Sequence, residues 1–154
     1  MPSFGWEWPL PYLFVPEAER AHRVDLGPDY CVIDEKEFYV RGCLDIPVHG
    51  HEEPFSWGAW VSLGRDSFLH YAELHDDVAR EAGARFVGWL SSAIPGYPAD
   101  EPLKAALHVR PWPARPFIEL EPTAHPLSVE QREGITQARV QEIAEQVMHP
   151  PSKS

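Results

Sequence analysis

The sequence predicts an α+β fold: an antiparallel sheet built from hairpins and covered by a mid-chain helix and a C-terminal helix. The 154 residues suffice for one domain with its own core. Seventeen prolines, against the roughly eight that an average usage of about 5% gives, favour short elements and rigid turns over a helical bundle. Several segments alternate apolar and polar residues as strands do, and two segments show helical spacing.

The chain is expected to form a single domain with an arm, a body and a tail. These are an irregular N-terminal arm (1–28), an α+β body (29–148) and a loose tail (149–154) within residues 1–154. The arm holds five prolines and no sustained periodicity, and only residues 17–24 favour a short helix. Its aromatic residues are expected to pack on the body: Trp6, Trp8, Tyr12 and Phe14.

A hairpin is predicted from the β-rich residues 30–33 and 38–46. If Glu35 and Lys36 form its turn, Cys31 and Cys43 lie on opposite faces, which excludes a disulfide between them. Two cysteines are also too few for a disulfide framework. Both are therefore expected as free thiols.

The middle of the chain predicts a strand, a helix and a second strand. Residues 55–63 alternate and place Trp57 and Trp60 on opposite faces, so that one tryptophan lies in the core. Trp60 would then be either exposed, as suits a binding surface, or covered by the arm. Residues 65–76 have helical apolar spacing, and residues 84–90 are typical of a buried strand.

Residues 103–110 alternate cleanly and are expected to pair with residues 117–121. Two registers compete. A four-residue loop, 111–114, sets Leu107 against Ile118 and places Lys104 against Glu121. We adopt that register.

The C-terminal part of the body is expected to be helical. A short turn through residues 127–132 is followed by a break at Gly134. Thr136 is then suited to cap a helix over residues 137–148, which carries an apolar stripe.

The charge balance limits the partners. Thirteen basic and 24 acidic residues give a net charge of −11, which disfavours nucleic acid and anionic membrane surfaces. The first residues contain Glu7 and lack a basic segment, so neither a signal peptide nor a membrane span is predicted. We expect a cytoplasmic protein of undetermined oligomeric state.

The strongest cluster of chemically useful residues lies on the predicted 103–110 and 117–121 strand pair. It contains Lys104, His108, Arg110, Glu119 and Glu121, and is continued by His125. Two carboxylates about 7 Å apart can act as acid and base, and Arg110 can hold a carboxylate or phosphate through two hydrogen bonds. The same residues also describe an ordinary solvent face cross-linked by ion pairs, which is the commoner case.

No cofactor or metal is expected. His49 and His51 have metal-ligand character beside Glu52 and Glu53, but no further residues complete a site. A nucleophile elbow, a phosphate-binding glycine loop and a dinucleotide fingerprint are all missing from the sequence.

From Asp29 onward the chain resembles a bacterial family catalogued as domain of unknown function 2199. The segments that carry the resemblance include EPFSWGAWVSL, FVGWLSSAIPGYP and LHVRPWPARPFIELEPTAHPLSVEQREGIT. Members of that family often begin with a Cys-x-x-Cys-Gly segment similar to half a zinc ribbon. This chain lacks that segment, so no metal role is implied for it, and the resemblance implies no substrate or partner.

Two hypotheses follow for the function. The first is a non-catalytic intracellular binding or accessory protein that engages another protein through an acidic and aromatic surface. The alternative is a hydrolase or transferase that holds a small ligand near Arg110, Glu119, Glu121 and His125. A flat face with an exposed Trp60 would favour the first, and a cleft lined by those side chains would favour the second.

Overall fold

A computed structural model describes residues 3–149 of the chain. The predicted loose tail therefore lies outside the described residues except for His149. The strands are β1 (Ser3–Gly5), β2 (Val24–Leu26), β3 (Tyr30–Ile33), β4 (Glu37–Ile46), β5 (Phe55–Leu63), β6 (Arg85–Leu90), β7 (Lys104–His108) and β8 (Phe117–Leu120). The helices are α1 (Arg20–Arg23), α2 (Arg65–His75), α3 (Pro126–Glu133) and α4 (Gln137–Met148).

The strands close into a barrel. The sheet order is β1-β5-β6-β7-β8-β4-β3-β2, and β4 also pairs with β5, so β4 to β8 form a closed five-stranded ring. The closing pair, β4 with β8, is parallel through Cys43 and Phe117, so the barrel is mixed. The α+β class is confirmed, but the simple antiparallel sheet of hairpins is wrong.

The barrel closes because one edge of the long strand β4 pairs with two different strands, β3 and β8. Its first half pairs with β3, and its second half meets β8. Its other edge pairs with β5 from Phe38 to Ile46. Alternation shows which side chains share a face but not which strand lies beside them, so the parallel contact was not predicted.

Inward side chains of the ring form the main core. Trp57, Leu107 and Ile118 are among its fully buried members. Gly88 permits the close approach of β5 and β6, because a side chain at that position would collide with the backbone oxygen of Ser62.

The β3–β4 hairpin has a different turn from the one predicted. Residues 34–36 form it, with Asp34 and Glu35 at φ of 54° and 57°. The three-residue turn pairs Cys31 with Tyr39, which places Cys31 on the face of Cys43, so the opposite-face prediction is wrong. The cysteines are nevertheless free thiols. Cys43 lies four residues beyond Tyr39, about 13 Å along the strand, which is too far for a disulfide.

The N-terminal arm is more ordered than predicted. Its β1 pairs in parallel with β5, and its β2 pairs with β3. Trp6 stacks on Trp57 with ring centroids 6.0 Å apart, and its carbonyl accepts a 2.9 Å hydrogen bond from Trp60 Nε1. Phe14, by contrast, is largely exposed and does not pack on the body.

The β7–β8 pair has the predicted register. Leu107 lies opposite Ile118. The Glu121 amide donates to the Lys104 carbonyl at 2.9 Å, which extends the ladder past β8.

The helices cover the barrel as predicted. On α2, Phe68 packs on Phe38 with ring centroids 5.0 Å apart. Thr136 caps α4, its side-chain oxygen accepting from the Arg139 amide at 3.1 Å. Within residues 3–149 the helices fall short of the length and apolar character that crossing a membrane requires.

Candidate functional site

The outward side chains of β6, β7 and β8 form one continuous surface, which we call the outer sheet face. Strand pairing places Trp89 opposite Lys104, and Ala106 between Val87 and Glu119. Its members are Arg85, Val87, Trp89, Lys104, Ala106, His108, Phe117, Glu119 and Glu121.

A shallow groove of about 250 Å³ runs across this face. Ala106 and Val87 lie at its apolar centre, and the small alanine leaves the depression between larger neighbours. Cations from β6 and β7 line one side, and carboxylates from β8 and the residue after it line the other: Arg85 and Lys104 against Glu119 and Glu121. The groove therefore presents both signs of charge beside an apolar floor.

Two side-chain contacts lie at the end of the face. His108 Nε2 lies 3.0 Å from Glu119 Oε1. Arg110 Nη2 donates to Asp45 Oδ2 at 3.1 Å, and the Arg110 guanidinium lies 5.5 Å from the Phe117 ring centroid. Arg110 and Asp45 are partly exposed, where an ion pair contributes about 0–1 kcal/mol. The side-chain contacts of Arg110 are therefore with Asp45 and Phe117.

His125 does not belong to this face, so the prediction that it continues the cluster is wrong. It is 5% exposed, and its Nδ1 accepts from the Leu127 amide at 3.1 Å as the cap of α3. Its Nε2 then carries the proton and donates to the Pro98 carbonyl at 2.8 Å. His125 lines a different cleft from Glu119 and Glu121. The sequence held a signal for this role, since His125 directly precedes a proline at the first helical position.

Trp60 is also absent from the surface. It is fully buried beneath the arm, which corresponds to the covered alternative. Two other tryptophans are exposed: Trp89, at 48% on the outer sheet face, and Trp112, at 49% in the segment between β7 and β8. The prediction of a buried strand over residues 84–90 leaves Trp89 out of the expected site. The signal was the alternation of Arg85, Val87 and Trp89 with the inward Phe86, Gly88 and Leu90.

The loop of residues 49–53, which contains His49 and His51, contacts the end of α3. His49 Nε2 lies 2.9 Å from the Glu133 carbonyl oxygen. Across residues 3–149 the structure contains no group of three or more His, Cys, Asp or Glu side chains that could hold a metal ion.

The fold and the site define a mixed five-stranded barrel with an open, amphipathic sheet face. The chain belongs to the family described as "Uncharacterized protein conserved in bacteria (DUF2199)", whose family model matches residues 1–135. The match includes the arm and ends before α4. No curated protein and no solved structure matches the chain.

Proposed function

We propose that this protein is a non-catalytic binding protein that engages another protein through the outer sheet face. The main support for this proposal is that Trp89 and Val87 are 48% and 39% exposed on a face that the described residues leave open. The neighbouring outer side of β5 is instead covered by the arm, which buries Trp60 completely.

The composition of the face suits a protein interface. Tryptophans that become buried and are surrounded by polar residues carry much of the binding energy of many interfaces. Here Trp89 and Val87 supply apolar area, and Lys104, Glu119 and Glu121 surround it.

Charge favours a partner other than a second copy of this chain. Two molecules that each carry −11 repel one another, whereas a basic protein is attracted. The cations and carboxylates on opposite sides of the groove would orient such a partner, since each side repels like charge.

The alternative enzyme hypothesis has less support. It requires Arg110, Glu119, Glu121 and His125 to meet around one ligand. Arg110 instead pairs with Asp45, and His125 is committed to Leu127 and Pro98. We therefore favour binding over catalysis at this face.

Site-directed photo-crosslinking tests the proposal. A photoreactive phenylalanine analogue replaces Val87, beside Trp89 on the outer sheet face, in one variant and Leu69 in a matched control, because Leu69 is 50% exposed on α2, away from the face. We expect the variant at position 87 to form one defined protein adduct in intact bacterial cells, with none at position 69. Excess unmodified protein should suppress the adduct, and excess Trp89→Ala protein should not.

Equal adducts at both positions would contradict the proposal. The proposal would also be contradicted if excess Trp89→Ala protein suppressed the adduct as strongly as excess unmodified protein does. Either result would mean that the contact does not depend on the indole.

A further inference from the structure

A second cleft, away from the outer sheet face, lies between α2 and the segment before β3. Its volume is about 270 Å³. Its lining residues are Asp29, Tyr30, Phe68, Tyr71, Ala72, His75 and Asp76. We call it the α2 cleft.

The interior of the α2 cleft is apolar and aromatic. Phe68 and Tyr71 are held in place by core rings on their other sides, since Phe68 contacts Phe38 and Tyr71 meets Phe86 edge to face at 5.8 Å. Ala72, on the same side of the helix, leaves the space between them and the β3 segment open. The helix therefore covers the barrel without closing against residues 29–30.

The rim of the α2 cleft is polar and centres on the Asp29 carboxylate. Arg115 Nε donates to Asp29 Oδ1 at 2.8 Å, and His75 Nε2 lies 3.5 Å from Asp29 Oδ2. The other ring nitrogen of His75 lies 3.2 Å from Asp76 Oδ1. Two carboxylates therefore flank one imidazole at the mouth of an apolar space.

The buried Arg80 holds this rim in place. It is 9% exposed and donates to the carbonyl of His75 at 2.6 Å and to that of Ala114 at 2.8 Å. Ala114 directly precedes Arg115, so one guanidinium fixes both segments that contact Asp29. Arg80 is thus a positioning residue, and the rim is formed before any ligand arrives.

The Tyr71 hydroxyl has no hydrogen-bond partner among the described residues, although the side chain is only 5% exposed and lines the cleft. The hydroxyl oxygen keeps contact with solvent at the cleft, so a ligand that enters the cleft can reach it. Burial of the side chain raises the pKa of Tyr71, so the hydroxyl stays neutral and its oxygen is able to accept a hydrogen bond.

We propose that the α2 cleft binds a small hydrophobic amine. Its hydrocarbon part would lie against Phe68 and Tyr71, and its ammonium group would meet the Tyr71 oxygen and the rim carboxylates. A cation gains from the aromatic faces as well as from the carboxylates. The net charge of −11 attracts cations generally. The volume, just under the roughly 300–1,000 Å³ of usual ligand sites, suits a single ring or a short aliphatic chain. This inference does not depend on the proposed function.

An NMR titration of the full chain with three probes of one shape tests it. The probes are phenethylamine, the neutral 2-phenylethanol and the anionic 3-phenylpropionate. We expect the amine to shift the amide resonances of residues 28–30 and 68–76 and to bind roughly tenfold more tightly than the alcohol, with the acid weakest.

Variants identify the groups responsible. Tyr71→Phe should weaken amine binding roughly 2- to 10-fold through loss of one hydrogen bond. The matched control is Tyr39→Phe, which removes a buried hydroxyl that does not line the cleft and should leave the affinity unchanged. Ala72→Leu should abolish binding by filling the cleft while changing no polar contact, and its unchanged thermal midpoint would show that the fold is retained.

Three results would overturn the inference. These are tight binding of the acid, equal weakening by Tyr71→Phe and Tyr39→Phe, or amine-induced shifts that persist unchanged in a folded Ala72→Leu variant.

Discussion

Replacing Arg80 with alanine tests how the α2 end and the β7–β8 loop are joined. The guanidinium donates to the carbonyls of His75, Arg110 and Ala114 at 2.6, 2.8 and 2.8 Å, and to the Leu74 carbonyl at 3.4 Å. Its acceptors are all backbone carbonyls, so the chain around it is shaped to surround one cation. The acceptors on α2 are the last carbonyls of the helix, which a cation stabilises further.

The expected loss is large for a single substitution. Hydrogen bonds from a charged donor contribute about 1.5–3 kcal/mol each, and the desolvation of the guanidinium offsets part of that sum. For three short bonds we expect Arg80→Ala to lower the free energy of unfolding by about 3 kcal/mol. At about 2–4 °C per kcal/mol for a chain of this size, the thermal midpoint should fall by about 6–12 °C.

Urea unfolding followed by tryptophan fluorescence measures the change. Arg65→Ala is the matched control, because Arg65 is an exposed arginine at the start of α2, and its loss should stay within about 0.5 kcal/mol. Arg80→Lys should recover little stability, since one ammonium cannot reach acceptors in both segments. A loss below about 1 kcal/mol for Arg80→Ala, similar to that of the control, would refute the reasoning, because this loop would then be held by other contacts.

Three further predictions concern the core and the arm. Thiol titration in denaturant should find two free thiols, and fewer than two would contradict this prediction. In the folded protein Cys31 should be labelled slowly, because burial raises the pKa of its thiol to about 12. The free energy of unfolding should fall as the pH rises from 9 toward 12, since burial raises the pKa of Cys31 and of Tyr39 to about 12 and favours their neutral forms only in the folded state. Urea titrations at pH 8, 9.5 and 10.5 would show this decline, and a flat profile would count against it. Trp60→Phe should lower the free energy of unfolding by at least about 1 kcal/mol, because it removes the hydrogen bond from Trp60 Nε1 to the Trp6 carbonyl. Amide hydrogen exchange in residues 6–15 should become faster in this variant. Unchanged exchange there would mean that this bond does not hold the arm.

Local patterns predicted the elements better than their arrangement. The 3.6-residue and two-residue periods place α2, α4 and β5 correctly, and the β7–β8 register follows from side-chain matching across a single hairpin. Closure of the barrel depends on one parallel contact between Cys43 and Phe117, which are far apart in the chain. A three-residue strand such as β1, paired with β5, is too short to show a period.

The site was predictable only where neighbouring strands build it. Lys104, Glu119 and Glu121 share the outer sheet face as expected, because their register was correct. The α2 cleft was not predicted, since Asp29 and Arg115 are separated by 86 positions and meet only through the tertiary fold. His125 was misplaced because a side chain that caps a helix turns back toward the backbone.

The affinity of the crosslinked partner for a Trp89→Ala variant tests the central claim most directly. If the outer sheet face is the binding surface, removing the indole should weaken binding by roughly 30-fold or more, which corresponds to about 2 kcal/mol. Leu69→Ala, which removes an apolar side chain of similar exposure on α2, should change the affinity less than about threefold. An unchanged affinity for the Trp89→Ala variant, with its unfolding midpoint intact, would contradict the account.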